Sequence, residues 1–262
     1  TRGFNPHRPH QFSIGHHPTR ERTVIAVRSL LMVVPARNES STIVSCIEKL
    51  SYLRDDLLNL GTDMSVLVVI NNSSDDTAAL ALKAASGLEW VCVETTEGRG
   101  KGLAVLHGWS YGTDMVGFSD ADLAADISIV PELVSKVANG ASLATASRYC
   151  SNLKPKRSIY RSTASRVYRL ASRFILGFKV ADAQCGLKIA DINAIRPELD
   201  ACQETGWLLD SELIFYLTKS RKSIEEVPVA WTAGTESQLR FWSTSRQVLS
   251  FLRRLYLVSR TR

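Results

Sequence analysis

Short apolar runs alternate with helical patterns along the first 150 residues, and this alternation limits the folds that the chain can adopt. Segments with apolar residues at helical spacing separate the runs and predict intervening helices. Strands that alternate with helices form a parallel sheet covered on both faces. The sequence therefore predicts an α/β fold with a mostly parallel central sheet and helices on both faces. Strands are expected at residues 29–34, 65–70, 90–93, 115–119 and 143–146.

Three residues with special chemistry lie where these strands are expected to end. Pro35 is expected to stop the first strand, Asn71 follows the second, and Asp120 follows the fourth. Ligands of such sheets bind beyond the carboxyl ends of the strands, so we expect the three positions to share one site. The sequence contains neither GxGxxG nor GxxxxGK[ST], and the usual dinucleotide and P-loop motifs are therefore absent.

Two carboxylates, Asp120 and Asp122, flank Ala121 at the expected end of the fourth strand. Residues i and i+2 of a strand share a face, and close carboxylates repel unless a cation or hydrogen-bond donors offset them. Mg²⁺ and Mn²⁺ prefer oxygen ligands and commonly bridge to substrate phosphates. We interpret the pair as a clamp for a metal and a diphosphate. The residues alone also allow a solvated turn or a helix cap.

The chain is basic, with 32 Lys and Arg against 26 Asp and Glu and a formal net charge of +6. This surplus, concentrated in residues 154–173 and 240–262, favours nucleotide phosphates, nucleic acid or an acidic membrane as partners. A nucleic-acid fold motif is lacking, so nucleic acid is not expected. The second segment has the pattern of a basic amphipathic helix, which would lie on a membrane or pack against protein.

The five cysteines form no CxxC pair and are odd in number, which argues against a zinc site or a disulfide framework and favours a reducing compartment. No apolar run is long enough to span a bilayer, and no signal-peptide segment is evident. Residues 1–22, rich in His, Pro and Arg, predict a disordered tail, with a histidine metal site as the alternative. One α/β domain over 23–240 and the amphipathic helix over 241–262 would follow.

Eight short motifs follow one another along the chain. In order they are PARNE (35–39), NNSSDDT (71–77), GKG (100–102), DAD (120–122), SRY (147–149), DAQCGLK (182–188), WLLDSE (207–212) and EVPVAW (226–231). The first four resemble motifs of the inverting family 2 glycosyltransferases with the GT-A fold. The last four are similar to the dolichyl-phosphate mannose and glucose synthases, most of all to the glucosyltransferase branch. The resemblance covers about residues 29–239.

The resemblance implies a nucleotide-sugar site at the sheet edge. Small residues on both sides of Lys101 would let a phosphate approach a helix N-terminus. Ile70 stands where the family carries an Asp and cannot hydrogen-bond a base, but Asn71 retains an amide that can. Asp120 and Asp122 would hold Mg²⁺ or Mn²⁺. The implied site residues are Pro35, Arg37, Glu39, Asn71, Lys101, Asp120, Ala121 and Asp122.

The resemblance also implies catalytic and acceptor residues in the second half. Arg148, expected on the donor side, and Asp210 join the two clamp aspartates as catalytic residues. A phosphate acceptor is already anionic and needs no strong base, so Asp210 is assigned by position alone. Cationic and amide donors suit an acceptor phosphate. We expect it near Arg161, Gln184, Gln238 and Arg240, where Gln238 replaces a lysine of the relatives.

Together these features predict inverting transfer of a hexose from UDP- or GDP-hexose to a polyprenyl or dolichyl phosphate, with glucose favoured over mannose. The protein would be cytoplasmic and peripheral on the cytosolic face of a membrane. Two alternatives stay open at this point. One is a family 2 enzyme acting on a soluble hydroxyl acceptor, and the other is a GT-A domain that binds a nucleotide without turnover.

Overall fold

A computed structural model describes residues 28–112, 114–149, 159–232 and 241–260. The expected N-terminal tail lies outside these residues, as do Gln238 and Arg240.

Seven strands form one sheet in the described part of the chain. The strand order is β3-β2-β1-β4-β6-β5-β7, and β6 is antiparallel to both of its neighbours, whereas the other pairings are parallel. The predicted α/β class with a mostly parallel sheet is confirmed. The strands are β1 (Arg28–Ala36), β2 (Thr62–Asn71), β3 (Val91–Thr96), β4 (Met115–Ser119), β5 (Leu143–Ser147), β6 (Leu187–Asp191) and β7 (Ile224–Pro228).

Helices cover both faces of the sheet, as the sequence predicts. Leu30, Met32 and Val34 of β1 pack into the layer of α1, α2 and α4, whereas Leu31 and Val33 pack into the layer of α3, α6, α7 and α8. The alternation follows from the two-residue period of a strand. The helices are α1 (Ile43–Asn59), α2 (Thr77–Ala84), α3 (Lys101–Trp109), α4 (Val130–Ala138), α5 (Ile159–Leu176), α6 (Ile192–Asp200), α7 (Leu209–Lys219) and α8 (Phe241–Arg260).

Two details of the fold differ from the sequence-based expectation. Pro35 does not stop β1, which continues to Ala36 beside β2. The missing N–H is tolerated because the pairing of β1 with β4 ends at Val33, so β1 has one neighbour at this point. The structure also adds β6, α6, α7 and β7 between Leu187 and Pro228, where no elements were assigned.

The C-terminal helix α8 packs into the core with one face. Phe251, Leu252 and Leu255 are buried there. Between them, Arg254 lies 2.5 Å from Glu212 of α7 and 2.7 Å from Glu204. The Glu212 side chain is fully buried, and Arg254 is the cation that compensates its burial. None of the described helices is long and apolar enough to cross a bilayer.

Replacing Arg254 by Ala is expected to destabilise the protein by ~3 kcal/mol, because Glu212 would keep a buried charge without its cation. The neighbouring Arg253 is exposed, so Arg253→Ala is a matched control that should change stability little. Urea unfolding of both variants measures the difference. Equal free energies of unfolding would contradict a stabilising role for the Arg254 contact.

Candidate active site

A cleft of about 300 Å³ opens at the carboxyl ends of β1, β2 and β4. Its wall contains all eight residues that the sequence analysis assigned to nucleotide-sugar binding, from Pro35, Arg37 and Glu39 to Lys101 and the clamp aspartates. They meet because the parallel strands that precede them end at the same edge of the sheet. Gly100 and Ala36 complete the wall.

The reversed strand β6 fixes the position of Asp120. Because β6 is antiparallel to β4, it begins where β4 ends, and Ser119 pairs with Leu187. The Asp120 backbone N–H donates to the Gly186 carbonyl at 3.1 Å. A Cβ atom at residue 186 would overlap the Asp120 carboxylate, so only Gly leaves this carboxylate its present place. The Oδ1 atom of Asp120 lies 2.5 Å from Nζ of Lys101.

Glu39 and Asp122, two further carboxyl groups of the cleft wall, have raised pKa values. Burial raises the pKa of Glu39 although Thr42 donates a hydrogen bond to it, and Asp122 and Asp120 add to the shift. Partial burial likewise raises the pKa of Asp122, although the Ala124 N–H donates to Oδ1 at 3.1 Å, and Asp120 contributes further. Carboxylates in this state favour a bound cation.

The donor set fits a hard divalent cation. Asp120 and Asp122 offer carboxylate oxygens, the ligand type of Mg²⁺ and Mn²⁺. The described residues contain no group of three or more His, Cys, Asp and Glu side chains placed to hold a metal. Mg²⁺ commonly takes one or two carboxylates and completes its coordination with substrate phosphates and water, which matches a pair of aspartates at an open cleft.

Asn71 uses its amide inside the protein. Its Nδ2 atom donates to the Gly100 carbonyl at 2.5 Å, and its Oδ1 atom accepts from the Gly100 N–H at 3.3 Å. The residue is 3% exposed. The amide that the sequence analysis offered to a base therefore braces the loop before Lys101 instead.

Backbone groups of the loop before α7 occupy the start of α3. The Gly102 N–H donates to the Gly206 carbonyl at 3.1 Å, and the Leu103 N–H donates to the Thr205 carbonyl at 2.8 Å. These two N–H groups are thus engaged and do not face an incoming phosphate, contrary to the expectation from the flanking glycines. The cation that this segment presents to the cleft is the side chain of Lys101.

Arg148 lines a second, smaller cavity of about 30 Å³ rather than the cleft wall. Its guanidinium donates to both Asp182 oxygens, at 2.6 and 2.7 Å, and its backbone N–H donates to the same carboxylate at 2.9 Å. Glu226 in turn accepts from the backbone N–H of Asp182 at 3.0 Å. Gln184 lines this cavity and donates to Ser211 at 2.5 Å, and Arg161 lies in the first turn of α5.

Asp210 lies behind the cleft, in the first turn of α7. Its carboxylate is 3.5 Å from Nζ of Lys188, which is fully buried and donates to the Cys185 carbonyl at 2.6 Å. Burial raises the pKa of Asp210, although Lys188 and Lys101 act in the opposite direction. Sequence reasoning included Lys188 in a motif but gave it no role; its signal is a lysine between the apolar residues Leu187 and Ile189 of β6.

Substituting Gly186 by Ala is expected to lower activity and metal-dependent nucleotide affinity about a hundredfold, because Asp120 must rotate away from its position. The backbone at Gly186 lies outside the left-handed region, so the fold should persist. Gly206→Ala is the control, since nothing lies within 4 Å of a Cβ atom there. Retained activity in a folded Gly186→Ala variant would argue against a fixed Asp120 carboxylate.

Comparison with known proteins gives the family. Residues 32–196, more than half of the chain, match the model described as glycosyl transferase family 2. Dolichyl-phosphate beta-glucosyltransferase of Saccharomyces cerevisiae is 26% identical over 228 residues, which cover 77% of this chain and 66% of the yeast protein. The human protein of the same name is 28% identical over 249 residues, which cover 88% of this chain and 76% of the human protein. Glycosyltransferase AglD of Haloferax volcanii is 27% identical over 221 residues, but the chain spans only 35% of its length.

Solved structures share the fold at lower identity. Glucosyl-3-phosphoglycerate synthase from Mycobacterium tuberculosis, in complex with Mn²⁺, UDP and phosphoglyceric acid, superposes with a TM-score of 0.66 at 22% identity, covering 92% of this chain and 84% of that one. Mannosyltransferase PcManGT from Pyrobaculum calidifontis, in complex with GDP-Man and Mn²⁺, superposes with a TM-score of 0.54 at 17% identity. The match covers 88% of this chain and 63% of that one. The chain belongs to glycosyltransferase family 2 and is a glycosyltransferase with the GT-A fold.

Proposed function

We propose that this glycosyltransferase moves a hexose, glucose before mannose, from a nucleotide sugar to a polyprenyl or dolichyl phosphate with inversion. The observation that carries the proposal is the single cleft that collects Asp120, Asp122 and Lys101. Relatives named dolichyl-phosphate beta-glucosyltransferase, at 26% and 28% identity, support the choice of sugar and acceptor.

On the donor side, Asp120 and Asp122 would hold Mg²⁺ or Mn²⁺, which would stabilise the charge that develops on the departing nucleoside diphosphate. Complexes of neighbouring folds with Mn²⁺ and UDP or GDP-Man support a divalent ion. Lys101 and Arg37, the cations of the cleft wall, would attract the diphosphate. Glu39 would accept hydrogen bonds from the nucleoside.

On the acceptor side, a phosphate oxygen would form the new bond to C1 of the sugar while the bond from C1 to the diphosphate breaks. The acceptor phosphate is already ionised, so no proton has to be removed. Asp210 would then act by charge beside Lys188 rather than as a base. Gln184 is proposed to face the acceptor phosphate, with Arg161, Gln238 and Arg240 as further donors, whereas Arg148, which lines the same cavity as Gln184, stays the proposed cation of the donor side.

Two neighbouring helices supply a surface for the membrane. On α8, Leu249 and Leu257 are 68% and 57% exposed, and the helical period places Arg253 on the same face. Helix α5 packs against α8, and its residue Phe174, next to Arg173, is 82% exposed. Apolar side chains mixed with cations are typical of helices that lie on an anionic bilayer. We therefore propose a peripheral position on the cytosolic face.

Donor and acceptor are tested by incubating the protein and Mn²⁺ with UDP-glucose or GDP-mannose and a short polyprenyl phosphate, and by identifying the product. We expect glucosyl lipid from UDP-glucose, and at least a hundredfold less from Asp122→Asn because one clamp carboxylate is lost. Asp56→Asn, an exposed charge on α1, should leave the rate unchanged.

Other outcomes would select an alternative. Transfer to a soluble hydroxyl compound without lipid dependence would favour the soluble-acceptor enzyme. Nucleotide binding with no product from any donor would favour a binding domain without turnover. Full activity of a folded Asp122→Asn variant would remove the metal-clamp role.

Changing Phe174 and Leu249 together to Ser is expected to weaken binding to anionic liposomes at least tenfold, since each buried large apolar side chain contributes about 1.5 kcal/mol or more. Leu82 of α2, 59% exposed in the opposite helix layer, supplies the control variant Leu82→Ser. Co-sedimentation measures binding. If both variants bind liposomes like the parent protein, α5 and α8 do not form the membrane surface.

A further inference from the structure

The ammonium of Lys101 lies beside Asp120, one of the two carboxylates that would hold a metal. Nζ lies 2.5 Å from Asp120 Oδ1 and 4.7 Å from the centre of the Phe118 ring. Without a ligand, the cleft is therefore partly neutralised by a cation of its own chain.

We propose that Lys101 is an internal counter-ion that keeps the divalent metal off Asp120 until a diphosphate arrives, so that metal and nucleotide sugar load together. The inference rests on the metal-dependent function proposed above and concerns how that same site is filled. Lys101 is a positioning residue in this scheme, since it controls the availability of Asp120.

Lys101 and a metal would compete for the Asp120 carboxylate, and the surroundings of Asp120 leave it little freedom to turn away from Lys101. The Oδ2 atom of Asp120 already occupies the space that a side chain at residue 186 would take, so on that side the carboxylate lies against residue 186. A metal held by Asp120 would lie close to the Lys101 ammonium, because Nζ is already 2.5 Å from Oδ1 of the same carboxylate. A monovalent and a divalent cation at that separation repel, most strongly where water is scarce.

A diphosphate resolves the competition because it offers oxygens to both cations. Lys101 ends in a flexible four-carbon stem, so its ammonium can leave Asp120 for a phosphate while the helix start stays fixed. The Gly102 and Leu103 N–H groups are bound to the Gly206 and Thr205 carbonyls, so the side chain carries this exchange. Since binding coupling is reciprocal, the metal and the nucleotide should each raise the affinity for the other.

The test measures Mn²⁺ affinity directly, by titration with detection of free Mn²⁺ by electron paramagnetic resonance, without nucleotide and with saturating UDP or GDP. Wild-type protein is expected to bind Mn²⁺ about tenfold tighter with nucleotide than without. Lys101→Met should bind Mn²⁺ alone about tenfold tighter than wild type and should lose most of the nucleotide enhancement. Lys101→Arg, which keeps the charge, should retain the wild-type pattern.

Lys136→Met provides a matched control. Nζ of Lys136 lies 3.8 Å from a carboxylate oxygen of Glu225, and neither residue lines the cleft. Its Mn²⁺ affinities should equal those of wild type. Lys101→Gln serves if the Met variant does not fold. Unchanged affinity for Mn²⁺ alone in a folded Lys101 variant would overturn the counter-ion role while leaving the proposed function intact. Failure of folded wild-type protein to bind Mn²⁺ with either nucleotide would instead overturn the metal-dependent function itself.

Discussion

The antiparallel placement of β6 is the constraint on which the cleft depends. A parallel strand beside β4 would end, rather than begin, at the edge where Asp120 lies. The reversal delivers Cys185 and Gly186 to that edge, where one backbone carbonyl binds the Asp120 N–H and the missing side chain leaves room for its carboxylate. Lys188, two residues further, enters the core under the same site.

Buried charge organises the region behind the cleft. An ionised side chain removed from water needs a partner, and two pairs meet this need here: Lys188 faces Asp210, and Arg148 binds Asp182 through two hydrogen bonds. These pairs connect β5, β6 and the start of α7 and fix side chains that sequence alone assigns to chemistry. Position in a motif therefore does not distinguish a reacting group from one that holds the site together.

The sequence predicted the features that depend on residues close together in the chain. Apolar runs predicted β1 to β5, and the residues that follow them predicted Pro35, Asn71 and the Asp120–Asp122 pair, whereas the other residues of the cleft wall came from the resemblance to family 2. Partnerships across the chain were not predictable, because Asn71 and Gly100 are 29 residues apart and Arg254 and Glu212 are 42 apart. The elements between Leu187 and Pro228 were missed for a local reason: β6 and β7 are short and charged, and α6 contains Pro197.

Contacts run without a break from the C-terminal helix to the cleft. Arg254 binds Glu212, whose other oxygen accepts the N–H groups of Gln203 and Glu204 at 2.9 and 2.7 Å. The next two residues of that loop bind the N–H groups at the start of α3, directly after Lys101. The helix that presents apolar side chains outward thus supports, through its inner face, the segment that carries the cleft's lysine. A proposed membrane contact and the proposed donor site are consequently joined by one continuous set of contacts, in which the buried carboxylate of Glu212 links α8 to the loop before α7.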